Sequence, residues 1–429
     1  MTAATEEPSL RRVLGTRDLV VYYVSSLVGA GILVVPGIAL EIAGPASLVA
    51  WAILALTAFP MAVVFARFSA EYPNAGGVSF LVRQAFGWRP GMAVGLFLLV
   101  LNLATNPILG LAAARYLAVL FGWEDPTVIL LAGFAVMSIG VLTNMLGILV
   151  ASRVQFALVV GLIVGLLTVV AVSAPAADTA RLSPFAPNGW GAVGAALLVG
   201  FFAFFGWENV SHVADEVREP RRSYPRAALL GALILGLLYF TLALVAALVI
   251  PPEADADSTA ILAALLRFSR GEGAAQLGSV LAVALLVVTT NAWVLGASRL
   301  LYAMARDGIV PSGISRVSGR NGAPLAALAI AWACYAIDTA VLLAIGGDER
   351  ILIAFTSGSI LIVYIAAFLA GFRLFADSPT RLLCAVALLA VSGFLLGGGT
   401  PALVAVGAFA LTVVYVLVRR KEEPQPADD

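Results

Sequence analysis

Apolar residues run in long stretches along this chain, and polar residues are confined to short gaps between them. A helix needs about 20 apolar residues to cross the hydrocarbon core of a bilayer. Twelve stretches predict such spans, at about 19–40, 45–66, 92–114, 127–147, 154–174, 190–212, 226–250, 278–300, 325–345, 351–372, 380–396 and 401–418. The longest polar stretches are Ala66 to Pro90, Pro175 to Gly189, Val213 to Pro225, Pro251 to Leu277 and Met304 to Pro324, and none is long enough for a soluble domain. Turn formers such as Gly44-Pro45 and Glu219-Pro220 fall at the predicted span ends. Between Ala75 and Gly87, the residues Val78, Leu81, Val82, Ala85 and Phe86 recur at helical spacing around Arg83 and Gln84. That pattern predicts a short helix lying at the membrane surface.

Two of the apolar stretches are interrupted by glycine. One reads Ser25-Ser26-Leu27-Val28-Gly29-Ala30-Gly31-Ile32, the other Phe204-Phe205-Gly206-Trp207-Glu208. A helix in lipid must satisfy its own backbone, so a break at membrane depth is tolerated only where the freed groups face protein, water or a ligand. Breaks in spans one and six occupy corresponding places if spans one to five and six to ten are two repeats. Odd and even spans run in opposite directions, so the repeats would have inverted topology, with a binding site where the breaks meet.

Composition fixes the class. Of the 429 residues 61% are hydrophobic, mean hydropathy is +1.01 and only 12% are charged, about half the share found in soluble domains. The chain reads as an all-α integral membrane protein, with the lipid bilayer as its solvent. Its net charge is zero and no basic stretch marks a nucleic-acid partner. With the N-terminus inside, twenty of the 25 basic residues fall on one face, and only Arg115, Arg181, Arg267, Arg270 and Arg350 on the other. The positive-inside rule then puts both termini in the cytoplasm. Met1 to Pro8 is polar and acidic, and the first apolar run is too long for a cleavable leader. Cys334 and Cys384 fall inside spans, where a cysteine acts as a small hydrophobe. Arginine outnumbers lysine 24 to 1, the bias of a GC-rich bacterial genome.

Three stretches carry a family resemblance. They are Gly29-Ala30-Gly31-Ile32-Leu33-Val34-Val35-Pro36-Gly37 in span one, Asp215-Glu216-Val217-Arg218-Glu219-Pro220 continuing to Tyr224-Pro225-Arg226-Ala227 after span six, and Ala297-Ser298-Arg299-Leu300-Leu301-Tyr302-Ala303-Met304-Ala305-Arg306-Asp307-Gly308 after span eight. In this order and at these positions they resemble the amino acid–polyamine–organocation transporters, over nearly the whole chain. A further stretch, Phe59-Pro60-Met61-Ala62-Val63-Val64-Phe65-Ala66 leading into Tyr72-Pro73-Asn74-Ala75-Gly76-Gly77-Val78, looks like the bacterial exporters of methionine and branched-chain amino acids. The resemblance implies twelve transmembrane helices in a five-plus-five inverted-repeat fold with helices one and six broken. It divides the chain into a cytoplasmic segment at 1–18, a first repeat at 19–174, a second at 190–372, two further spans at 380–418 and a cytoplasmic tail at 419–429. It implies a bacterial inner-membrane carrier, as monomer or homodimer, with no cofactor.

The breaks have a chemical logic of their own. Span one rises outward, so the half-helix beginning near Ile32 aims free N–H groups and its positive dipole end at the bilayer interior, where a carboxylate fits. Span six descends, so the half-helix ending near Phe205 presents the carbonyls of Phe202, Ala203 and Phe205, where an ammonium fits. An amino acid carries both groups on one carbon. Val28, Gly29, Ala30, Gly31, Ile32, Asn106, Phe202, Ala203, Phe205, Gly206, Trp293 and Ser357 form the expected substrate site, with Thr290 and Asn291 as further polar neighbours. Phe202 and Trp293 match the family's site-closing positions. The lining has no charge to pair with a charged substrate side chain, and burying one unpaired costs several kcal/mol. Neutral substrates of the methionine, leucine, isoleucine and valine type are expected.

An ionisable residue at the centre of a span costs about 2.5–3.5 kcal/mol, so the few present are candidates for ion coupling. Glu208 sits where a carboxylate would either cap the second half of span six or carry a proton. Asp338 lies in span nine nearer its outer end, and His212, the only histidine, near the cytoplasmic end of span six. Relatives that place a lysine in span five are not a guide, because Lys421 is the only lysine. Proton coupling, sodium coupling with Thr356 and Ser357 as oxygen ligands, and exchange of one amino acid for another or for an amine all stay open. A membrane enzyme is disfavoured by a single histidine, no metal-ligand cluster and no nucleophile with a base. A channel on this scaffold would need a continuous polar pore lining, and a sensor an added signalling domain.

Overall fold

The computed structural model describes residues 14–72, 77–146, 152–208, 217–252, 258–306, 309–317, 323–347 and 349–418. Its elements are helical throughout, apart from one isolated bridge between Leu14 and Val217. By length and composition, nine helical runs among the described residues can cross a membrane, and Val160–Ala176 and Ala192–Phe204 are shorter apolar helices.

The first apolar stretch forms two helices, α1 (Thr16–Leu27) and α2 (Ala30–Ala43). Val28 is extended between them, and Gly29 caps α2 with φ −161° and ψ −137°. Gly44, at φ +59°, and Pro45 turn the chain into α3 (Ser47–Glu71). The surface helix expected over Ala75 to Gly87 is α4 (Gly77–Phe86), the first two positions of that stretch lying outside the described residues. Val78, Leu81, Val82 and Ala85 are buried as its spacing predicts, but Phe86 is 40% exposed. Phe86 ends the helix and lies under the Arg373 guanidinium, 5.6 Å from its ring centroid.

Gly87, at φ +96°, forms an elbow into α5 (Trp88–Thr105), which continues through Asn106 into α6 (Pro107–Phe121). Next come α7 (Pro126–Met145), α8 (Ser152–Ser173) and α9 (Ala192–Phe201). A 3-10 turn at Phe202–Phe204 ends that run. After it come α10 (Pro220–Val249), α11 (Ile261–Arg270), α12 (Glu272–Arg306) and α13 (Leu325–Ile345). The chain closes with α14 (Glu349–Leu374), α15 (Ser378–Gly397) and α16 (Thr400–Val418).

Hydropathy along the chain predicts only a polar stretch where α11 forms. Ten residues are too few for a hydropathy window to register, yet Ile261 to Leu266 are all buried. α12 is also longer than its apolar core and begins at Glu272, which bonds Arg267 at 2.7 and 3.0 Å.

Among the principal packing pairs are α3 with α10, α6 with α7 and α12, α14 with α15 and α16, and α2 with α9. α2 and α14 lie at the centre of this assembly, with most of their residues buried. α15 and α16 instead present a row of exposed leucines, among them Leu389, Leu396, Leu403 and Leu411, as lipid-facing helices do. At one end of the bundle Arg115 of α6 makes a two-pronged bond to Glu349 of α14, at 2.8 and 3.1 Å. At the same end Arg350 bonds Glu41 at 2.7 Å and Ser258 at 2.8 Å. Tyr116 donates to the Leu33 carbonyl at 2.7 Å and accepts from the Leu262 amide at 3.4 Å. These bonds tie α2, α6, α11 and α14 together.

Candidate functional site

The two glycine breaks lie against each other. A side-chain carbon placed on Gly31 would fall 2.9 Å from the Ala203 Cα and 3.2 Å from its Cβ, so only glycine lets the two backbones approach this closely. A carbon on Gly29 would meet the Thr289 methyl at 3.6 Å, an ordinary contact. Ala30 and Gly31 open α2, and the first N–H groups of a helix have no acceptor within it. The next, on Ile32, reaches back to the Gly29 carbonyl at 3.3 Å. On the other side of the break, the Leu27 carbonyl accepts from the Tyr239 hydroxyl at 3.0 Å.

The second break is built by α9, the 3-10 turn and an extended Phe205, followed by Gly206 at φ +119°. Few residues other than glycine adopt that angle. The Gly206 N–H is shared between the Tyr364 hydroxyl at 3.1 Å and the Glu208 carboxylate at 3.2 Å. Tyr364 donates its own proton to Glu208 in a short bond. Glu208 is thus held by the break and by α14 together. The second half of span six, including His212, lies outside the described residues.

Side-chain register around this break sorts the aromatics. Phe201, Phe204 and Trp207 are fully buried, with Phe201 against Tyr364, Phe204 against Trp51 and Tyr239, and Trp207 against Tyr23. Phe202 and Phe205 are half-buried and face each other at 5.3 Å, and Phe205 meets Trp293 of α12 at 6.1 Å. Phe202, Phe205 and Trp293 form one aromatic wall running from the break to α12. The Trp293 carbonyl accepts a long bond, 3.5 Å, from Asn106, whose amide also reaches the Tyr335 hydroxyl at 3.0 Å.

The other expected site residues separate into two groups. Val28, Ala30, Ile32 and Ala203 are buried at the breaks themselves. Ser357 is buried on α14 two turns before Tyr364, its hydroxyl oxygen without a partner, and the Thr290 oxygen is likewise unpartnered. Asn291 is engaged elsewhere, since its side-chain oxygen accepts from Thr143 at 2.8 Å and from Asn144 at 2.7 Å, both on α7. Asp338 is half-buried one turn from Tyr335, with one carboxylate oxygen unpartnered. Among the described residues no three His, Cys, Asp or Glu side chains gather in a way that could hold a metal ion.

Tyr116, Tyr239, Tyr335 and Tyr364 are absent from the sequence-derived site. Each is fully buried, with the hydroxyls of Tyr239 and Tyr364 bonded at the breaks, that of Tyr116 to Leu33 of α2 and that of Tyr335 to Asn106. A tyrosine inside an apolar span is a legible signal, because its hydroxyl must find a partner there. What the sequence withholds is which partner.

The site therefore offers backbone donors at one helix end, carbonyls at a facing helix end, an aromatic wall and one bonded carboxylate. That set suits a small zwitterion better than any covalent chemistry. A family model described as amino acid permease matches residues 14–419. The L-methionine/branched-chain amino acid exporter YjeH of Escherichia coli is 31% identical, over 85% of this chain and 87% of its own. The uncharacterized amino acid permease YecA of Bacillus subtilis is 29% identical over 75% of each chain. The branched-chain amino acid permease BcaP of the same organism is 27% identical, over 76% of this chain and 74% of its own.

Proposed function

Because the chain belongs to the amino acid permease family, a multi-pass membrane transporter rather than an enzyme, we propose that it carries neutral, hydrophobic L-amino acids by alternating access around the two facing breaks. The observation that carries this reading is the contact of Gly31 with Ala203, which brings a helix N-terminus and a helix C-terminus to one place. Substrate carboxylate meets the N–H groups of Ala30 and Gly31, and substrate ammonium meets the carbonyls of Phe202, Ala203 and Phe205. Phe202 and Trp293 close over the side chain, with Phe205 between them. This wall has no charged partner for lysine, arginine or glutamate side chains, and the E. coli relative named for methionine and branched-chain export favours the same substrate class. The proposal includes twelve spans in two inverted repeats, both termini cytoplasmic, and a proton-coupled export mode with exchange as its alternative. The paired breaks support the first, and the uneven division of basic residues supports the second.

Proteoliposomes preloaded with each of the twenty amino acids in turn test the substrate class. Saturable counterflow is expected for methionine, leucine, isoleucine and valine, and weak or no counterflow for lysine, arginine and glutamate. An absence of counterflow for all twenty would refute the proposal.

Glu208 is the coupling candidate best placed to sense the site, since it shares the Gly206 N–H with Tyr364. Gly206 and Tyr364 both donate to the same Glu208 oxygen, so a proton taken up on that oxygen would compete with them and change the hydrogen bonding of the break. Glu208→Gln keeps an acceptor but has no proton to exchange. A gradient of one pH unit supports about tenfold accumulation in a one-to-one coupled carrier, about 1.4 kcal/mol. The variant is expected to lose that accumulation while retaining counterflow; accumulation equal to the parent's would remove Glu208 from the coupling path.

A further inference from the structure

Arginines at both ends of the bundle find carboxylate partners within the chain, Arg67 with Glu71 and Asp377 among them, but among the described residues those at one elbow do not. At the end where α2 finishes and α14 begins, every described arginine is engaged within the chain. Arg115 bonds Glu349, Arg350 bonds Glu41, and Arg267 bonds Glu272. Arg181 bonds the carbonyls of Ala176, Leu248 and Val249, and Arg270 that of Val172. At the opposite end, three exposed arginines around the elbow between α4 and α5 have no carboxylate among the described residues. Arg83 lies over the rings of Phe80 and Trp88 at 5.6 and 5.8 Å, Arg373 lies over Phe86 at 5.6 Å, and Arg89 follows Trp88. Arg373 comes from the end of α14, so the cluster joins three helices.

We propose that this elbow docks the headgroup of an anionic phospholipid from the adjacent leaflet. Depth favours it. α5 opens one candidate membrane run at Trp88 and α14 closes another at Leu374, so the guanidinium groups sit where a span meets the headgroup layer. Chemistry favours it too. A guanidinium held over a ring by its charge still has N–H groups to offer, and these match a phosphate. Trp88 adds an aromatic ring of the kind enriched at the same level. Gly87 at φ +96° fixes the angle between the helices, and Gly91 lets α5 pass against Arg83, where a side-chain carbon would fall 2.6 Å from the Arg83 Cβ.

Native mass spectrometry of the full chain, released from micelles holding equal phosphatidylglycerol and phosphatidylcholine, tests the proposal. Retention of phosphatidylglycerol over phosphatidylcholine is expected. Each arginine near an anionic surface contributes about a factor of five, so the double variant Arg83→Gln/Arg373→Gln is expected to bind phosphatidylglycerol about 30-fold more weakly. Arg299→Gln, an exposed arginine outside the elbow, is the control and is expected to match the parent. Equal retention of both lipids, or undiminished phosphatidylglycerol binding by the double variant, would overturn the proposal. So would inorganic phosphate raising the melting temperature as much as phosphatidylglycerol does. If the double variant does not fold, Arg89→Gln, which stacks on no ring, carries the same test with a loss of about fivefold.

Discussion

Replacing Gly31 with valine is expected to lower amino acid counterflow about 100-fold, the equivalent of about 3 kcal/mol of overpacking. The first carbon of the new side chain would already lie 2.9 Å from the Ala203 backbone, and backbone cannot swing aside as a side-chain tip can. Either α2 or the 3-10 turn after α9 must move, and the facing helix ends lose their register. Gly29→Ala separates packing from binding. Its added methyl meets Thr289 at an ordinary 3.6 Å, and Gly29 does not sit at a positive φ. That variant is expected to keep the parent's melting temperature while raising the substrate KM about tenfold, about 1.4 kcal/mol, because the methyl occupies space beside the α2 donors. If Gly29→Ala transports with the parent's KM, the carboxylate does not bind at this helix end. If Gly31→Val transports normally, the contact between the breaks is not needed at all.

The second large effect is expected from the Arg115–Glu349 pair. Glu349 is completely buried and Arg115 is 18% exposed. Removing one member of a buried pair leaves a charge with no partner, which costs about 3–5 kcal/mol. Arg115→Ala and Glu349→Ala are each expected to lower the melting temperature sharply in detergent. The double variant Arg115→Met/Glu349→Leu fills similar volume without charge, and is expected to recover most of the loss because both desolvation penalties disappear. Equal melting temperatures for Arg115→Ala and the parent would mean that water reaches the pair and screens it. Transport by the double variant then reports whether the clasp between α6 and α14 contributes to the cycle or only to stability.

Much of this architecture is legible in the chain. The breaks at Gly29 to Gly31 and at Gly206 announce themselves, because glycine loosens a helix at the depth where lipid demands an intact one. The buried stripe of α4 follows from spacing for Val78, Leu81, Val82 and Ala85, though not for Phe86 at its end. The sequence does not reveal which distant group meets each freed backbone atom. Tyr239 is 212 residues from the Leu27 carbonyl that it satisfies, and Tyr364 is 158 residues from Gly206. Such pairs are set by how helices pack, and no local pattern encodes them. α11 is hidden for a different reason: its apolar face is only ten residues long and is covered by protein instead of lipid. Asn291 is a further case, its side-chain oxygen held by Thr143 and Asn144 of α7 in a pairing that no local pattern shows.

The hydroxyl of Tyr239 has a bearing on the turnover cycle. Because it holds the Leu27 carbonyl, that end of the gap in span one is sustained by a side chain of the protein itself. Tyr364 and Glu208 do the same for the Gly206 amide. For a continuous helix to form across either gap, these buried side-chain bonds would first have to break.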